Sequence, residues 1–377
     1  MLLINLYNPI KTPKMKNKFF KNSALVALTI LSLASCKKTK TPDDVIAPYD
    51  IPTTYNFSDA NYTSSTNRAK MWLELDAYMK LPNAGTALDA TKATNLFNNT
   101  GNAFTEAALN TSGVSIVEKT TDAPVFKKYL DDLVTESAIT TIATNGKAGY
   151  AERSATTKVI VNATGLENGQ AVAKGLMGSL LFKQAMDLLT LVKTDGTIAD
   201  QKKHFDEAFG YLSVPVNYDP TVTYASTLVF PAKPIGWGGY LAERGKDINA
   251  GKVIFDAFLK GRAAIGAKDI KVRDEQITII KEKWEQLAAA AALAYFTNPT
   301  TGDAGVGTFP GVKLHALSEA YGFVEALKYR PANSKLSAAN YTRLQTIIKT
   351  NFYTLLNEAG YTMLKEGQTI LKTAYGL

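Results

Sequence analysis

Two histidines occur in the 377-residue chain, and their surroundings are alike. One stands in His204-Phe-Asp-Glu207-Ala-Phe-Gly-Tyr211 and the other in His315-Ala-Leu-Ser-Glu319-Ala-Tyr-Gly-Phe323. Each histidine precedes a Glu-Ala-aromatic-Gly-aromatic run, and the two runs are about 110 residues apart, a pattern that suggests an internal duplication. On a helix, His204 shares a face with Glu207 (i, i+3), and His315 shares one with Glu319 (i, i+4). Two such helices facing each other would offer two imidazoles and two carboxylates, close to the set that zinc or a carboxylate-bridged iron pair takes in helical bundles. Glu74 and Asp76 could add further carboxylates. The competing structural reading has each histidine hydrogen-bonded to its own glutamate or to nearby backbone, pinning a helix in the core. The unequal spacings, three residues in one run and four in the other, mean that the copies cannot present identical ligand geometry.

Other chemistry finds little material. No phosphate-cradling Gly-rich loop, paired CxxC or HExxH helix is present, and two histidines leave little for a Ser-His-Asp triad. The formal charge of +8 comes from 42 Lys and Arg against 34 Asp and Glu. Five of the lysines lie in residues 1–35, which hold no acid, so the remainder carries 37 − 34 = +3. That balance removes the main support for a nucleic-acid partner.

The elements that must position these residues are predominantly helical. From about Ser65 apolar residues recur at three- and four-residue spacing. The pattern predicts a first helix capped by Thr66 and ended by Pro82. Further helices are expected over Ala87–Asn98, Ala123–Thr144, Asn168–Lys193, Asp200–Leu212, Asn249–Ala267, Asp274–Thr297, Lys313–Tyr329, Ser337–Asn357 and Glu358–Ala374. The stretch Asn168–Lys193 is apolar on most faces and should be central. Strand readings are limited to Lys158-Val-Ile-Val161 and Thr221–Phe230, too little for a sheet-based fold. The Gly/Pro/aromatic segment from Phe230 to Tyr240 reads as a long connection between two halves. The fold class expected is therefore all-α, with pseudo-repeated bundles over about residues 60–230 and 245–377 packed as one body.

The beginning of the chain carries an export signal. Met15 opens a basic segment followed by the short apolar run Ser23–Ala34, of signal-peptide rather than membrane-spanning length. Its end, Leu33-Ala-Ser-Cys36, resembles the lipobox of bacterial lipoproteins, in which the cysteine thiol is lipidated. Cys36 is the only cysteine, so no intramolecular disulfide can form. Residues 1–14 are expected to lie upstream of the true start, residues 15–35 to be the signal, 36–54 a polar, Pro-rich tether, and 55–377 the helical domain. Lipidation would anchor the chain to a membrane. Lys37, standing where an inner-membrane retention signal has aspartate, points to the outer membrane.

Taken together, the lipoprotein start, Pro52-Thr-Thr-Tyr55-Asn-Phe57 with Arg68, Lys174-Gly-Leu-Met-Gly178, the His204–Tyr211 run, Lys260-Gly-Arg-Ala-Ala264 and the His315–Phe323 run resemble a family of Gram-negative lipoproteins defined as a domain of unknown function. More distantly, the His-x-x-Glu element and duplicated plan resemble imelysin-like proteins, whose pattern is Gly-x-His-x-x-Glu; Lys202 stands at the glycine position. That resemblance implies two helical bundles, a link to iron acquisition with outer-membrane uptake proteins as partners, or a peptidase activity. The expectation is a lipid-anchored envelope binding protein for a metal (iron or zinc) or haem iron, with His204, Glu207, His315 and Glu319 as candidate ligands. Competing readings are an imelysin-like metallopeptidase and a docking lipoprotein without a small ligand.

Overall fold

The computed structural model describes residues 46–302 and 305–377; the signal segment, Cys36 and the first part of the tether lie outside them. Helices dominate. The first half carries α1 (Thr63–Met79), α2 (Ala90–Asn98), the short α3 (Ala107–Asn110) and α4 (Ile116–Lys119), and α5 (Ala123–Glu136). A two-stranded antiparallel ribbon follows, β1 (Gly149–Glu152) and β2 (Lys158–Val161), in which Gly149 faces Val161 and Glu152 faces Lys158. Next come α6 (Asn168–Leu176), α7 (Lys183–Leu191), α8 (Ile198–Leu212) and α9 (Trp237–Glu243). The second half holds α10 (Ala250–Gly266), α11 (Ile270–Thr297), α12 (Pro310–Ala326), α13 (Ala338–Ile348), α14 (Phe352–Asn357) and α15 (Thr362–Tyr375).

Local chemistry sets several of these boundaries. Asp89, Thr197, Asp269 and Ser337 each accept from a backbone N–H of the following first turn, capping α2, α8, α11 and α13. α1 begins at Thr63, three residues before the expected cap, behind Tyr62. The strand expected at Lys158–Val161 forms, but Thr221–Phe230 is a succession of turns. The helix expected to run from Ala123 to Thr144 stops at Glu136. There the Ser137 hydroxyl donates to the Val134 carbonyl and accepts from the Leu88 N–H, taking the chain into the ribbon.

The central helix is continuous from α6 to α7 through a π-helical turn, Met177–Phe182. Every residue of α6 and of this turn is buried. A π turn leaves carbonyls that the α-helical ladder does not use, and such turns collect at functional sites. Here outside donors serve them. The indole N–H of Trp72 donates to the Ala173 carbonyl (2.8 Å), that of Trp237 to Met177 (2.7 Å), and the Thr121 backbone N–H to Ser179 (3.2 Å).

α12 crosses α6 at very short range, and Gly322 makes that possible. A Cβ there would stand 2.3 Å from Lys174 Cβ and 3.0 Å from the Gly175 nitrogen. α11 packs against α10, α12 and α15, and its Ala288, Ala289, Ala291 and Ala292 are fully buried. The buried apolar side chains form one continuous cluster reaching from Tyr55 to Tyr375. Among the described residues no helix is long and apolar enough to cross a membrane.

Candidate functional site

The crossing of α6 and α12 places four ionisable side chains in series. His315 and Glu319 stand one turn apart on α12, and Gly322 brings the α6 backbone close enough for Lys174 to reach Glu319. Lys174 Nζ lies 3.2 Å from Glu319 Oε1, and both residues are more than nine-tenths buried. Glu167 occupies the N-cap position of α6 but makes no capping bond with its side chain. Its carboxylate instead meets His315 Nδ1 at 2.6 Å, while its backbone N–H donates to Ser318 Oγ on α12 at 2.8 Å. With Nδ1 turned to Glu167, Nε2 lies on the other side of the ring. That nitrogen stands 3.9 Å from Glu319 Oε1, beyond hydrogen-bond reach, so ring and carboxylate stand side by side rather than paired.

Three of these groups, Lys174, His315 and Glu319, line a cavity of about 430 Å³, with Glu167 behind His315. Its wall includes Tyr240 from α9, Tyr295 from α11 and Arg153 from the end of the ribbon. The two tyrosine hydroxyls are 3.2 Å apart, and Tyr295 donates on to Glu243 at 3.3 Å. Arg244 covers the Tyr295 ring at 4.8 Å, and Lys174 sits over Tyr240 at 5.4 Å. Burial drives both phenols above their ordinary range, so they remain protonated donors. Burial also works against the Lys174 charge, but Glu319 and then Asp76 outweigh it and hold the ammonium above its ordinary pKa. The cavity therefore presents the Lys174 and Lys313 side chains, the Arg153 guanidinium, the Glu319 and Glu243 carboxylates, the His315 ring and two neutral phenols: groups suited to gripping a polar ligand that both donates and accepts.

His204 and Glu207 lie elsewhere. His204 Nδ1 pairs with Asp195 at 2.9 Å in the α7–α8 connection. Glu207 is half-buried on the side of α8 toward Tyr211. Asp76 is held by Lys80 on its own helix, and Glu74 accepts from the Thr105 backbone N–H at 2.6 Å. The expected four-residue ligand set is thus divided between two places. Among the described residues no three His, Cys, Asp or Glu side chains converge as a metal site requires.

The intervening Asp206 makes the contact that the His204 run is built around. Its Oδ1 accepts from Tyr55 Oη (2.7 Å) and Arg262 Nε (2.7 Å), and its Oδ2 accepts from the Asn61 backbone N–H and Arg262 Nη2, both at 3.3 Å. Arg262 also reaches Asp59 at 2.7 Å and covers the Phe57 ring at 4.9 Å, while Tyr55 stacks on Phe209 with ring centres 3.7 Å apart.

Sequence reasoning named His315 and Glu319 but missed Glu167 and the Tyr240–Tyr295 pair, and held Lys174 only as part of a family motif. One signal was present. Lys174 is the only charged side chain between Asn168 and Phe182, an otherwise apolar and glycine-bearing stretch. A lysine in such a place needs a buried partner.

A family model described as Domain of unknown function (DUF4856) matches residues 52–370. The chain belongs to that family. Neither the curated proteins nor the solved structures contain a match.

Proposed function

We propose that this protein is a lipid-anchored binding protein of the cell envelope, which holds its ligand in the cavity between α6, α9, α11 and α12. The observation carrying this reading is that His315, Glu319 and Lys174 line about 430 Å³ of space, with His315 held from behind by the buried Glu167. Ion pairs that serve only the fold do not need a cavity. The lipobox-like Leu33–Cys36 supports the anchor, and Lys37 supports the outer membrane. The imelysin-like resemblance supports a cargo of iron or haem, passed on to outer-membrane uptake proteins. The duplicated two-bundle plan draws support from the two histidine runs. Gly210 and Gly322 both stand at close helix crossings, where a Cβ would meet Ser65 and Tyr62 in the first case and Lys174 in the second. No bound metal ion enters the reading as a cofactor, because the described acids and histidines do not converge on one. A metallopeptidase would need such a centre to activate water.

The test uses full-length protein purified from membranes without chelator. Mass spectrometry reads the acyl chains on Cys36, and titrations use haem, ferric citrate and zinc. A bound cargo at a hundredfold excess over its dissociation constant adds about 2.7 kcal/mol to the folded state, read as a higher Tm. His315→Gln and Lys174→Met should lose that increment and His204→Ala should keep it. Equal responses in all three variants would defeat the cavity assignment.

A further inference from the structure

A second cavity, of about 580 Å³, lies outside the site described above, between α5, the C-terminal half of α12, α13 and the turn after β2. We propose that it is a binding site for a neutral saccharide of mono- or disaccharide size. Its volume is within the range of small-molecule pockets, ~300–1,000 Å³.

Charge argues first. Four ionised groups line the cavity, and they cancel in pairs: Lys328 on Asp122, and Lys349 on Glu325 at 3.1 Å. No surplus of either sign is left to favour an ion. The carboxylates argue next. Asp122 uses Oδ2 for both Lys328 and Tyr329, and Glu325 uses Oε1 for both Lys349 and Gln345. Each therefore keeps a second oxygen that takes no hydrogen bond among the described residues, held in place by its engaged partner and able to accept from a ligand hydroxyl. Lys328 keeps Asp122 below the ordinary carboxylate range, so that acceptor is permanent. The same wall carries the Tyr129 and Tyr321 hydroxyls, 2.5 Å apart, and burial holds Tyr321 neutral. Apolar floor is supplied by Phe126, Leu166 and Phe352. Spare fixed acceptors, neutral hydroxyls that donate and accept, zero net charge and an apolar floor fit a ligand with many hydroxyls, a carbon face and no charge. That is the chemistry of a neutral sugar.

The experiment is ligand-observed saturation-transfer NMR on the full-length protein, with cellobiose, maltose, lactose and N,N′-diacetylchitobiose as neutral probes. Glucuronate and glucosamine serve as charged comparators. The expected result is binding of at least one neutral disaccharide, with the charged sugars weaker. Tyr321→Phe and Gln345→Leu should each weaken it about tenfold, the equivalent of one lost hydrogen bond, with circular dichroism unchanged. Lys174→Met, which alters only the other cavity, should leave it intact. No binding by any neutral probe, tighter binding by a charged one, or loss on Lys174→Met in place of the Tyr321 and Gln345 variants would overturn the proposal. None of these outcomes depends on lipidation or on the cargo of the first cavity.

Discussion

Two places in this molecule bury a cation against a carboxylate across a helix crossing, and they differ in how completely the charges are satisfied. At Arg262 and Asp206, which are 2% and 1% exposed, both carboxylate oxygens are filled by Tyr55, Asn61 and the guanidinium fork. Aromatic rings close the pair from two sides, Phe57 over Arg262 and Phe209 beneath Tyr55. At Lys174 and Glu319 one 3.2 Å contact joins the partners and His315 stands off at 3.9 Å beside the cavity. The first pair is a fastener, tying the N-terminal segment to α8 and α10. The second keeps hydrogen-bonding capacity in reserve, which adds nothing to folding and is what a ligand site requires. Charge burial therefore does not locate a site in this fold; unfilled valence beside a cavity does.

The comparison predicts unequal losses. Arg262→Met strands the buried Asp206, whose carboxyl burial already pushes above the ordinary range, and should cost about 3–5 kcal/mol. Lys174→Met removes a partner that Glu319 can partly replace with cavity water, and should cost about 1–2 kcal/mol while abolishing cargo binding. Urea denaturation at neutral pH reads both. Equal destabilisation would mean that the Lys174 pair is also a fastener, and the contrast between the two regions would fail.

Much of the frame was legible, because helical period and capping chemistry are local. The His204 and His315 runs do lie on helices, and Lys158–Val161 is a strand, since these depend on neighbours a few residues away. What was hidden is supplied from far along the chain. His315 takes its closest partner from Glu167, 148 residues earlier, and no spacing rule within α12 could name it. The same limit applies to the expected pairing of His204 with His315. Similar runs show that two helices are alike, whereas whether they face each other is decided by packing, here by the approach of α6 to Gly322 on one side and of Tyr62 and Ser65 to Gly210 on the other. Helix ends failed where a polar side chain turned back on the backbone. Asn351 does so within the expected Ser337–Asn357 helix, where its side chain caps α14 and divides the segment in two.

The smallest predicted effect separates the rims of the two regions by pH. Asp59 flanks the closed cluster, and its hydrogen bond from Lys202, aided by Arg262 against the cost of burial, lowers it from 3.8 to about 2. A depressed acid stabilises the fold above its unfolded pKa, and that contribution fades as pH falls from 3.8 through 2. Glu136 flanks the open site through Asn168, which donates to it at 2.9 Å beside Glu167. Burial pushes it from 4.5 up to about 7, with the Asn168 bond pulling the other way. A raised acid has the opposite sign: its stabilising contribution is complete below 4.5 and is lost as pH rises from 4.5 through 7. Glu136→Gln should therefore flatten the decline of Tm across that upper window, worth on the order of 1–2 kcal/mol after discounting for partial exposure. Asp59→Asn should flatten only the acid limb, by less, because Asp59 is largely exposed and screened. Added salt should shrink the Asp59 limb and spare most of the Glu136 one. If Glu136→Gln keeps the wild-type slope between pH 4.5 and 7, the open rim does not titrate there, and the two regions no longer differ in the sign of their pH response.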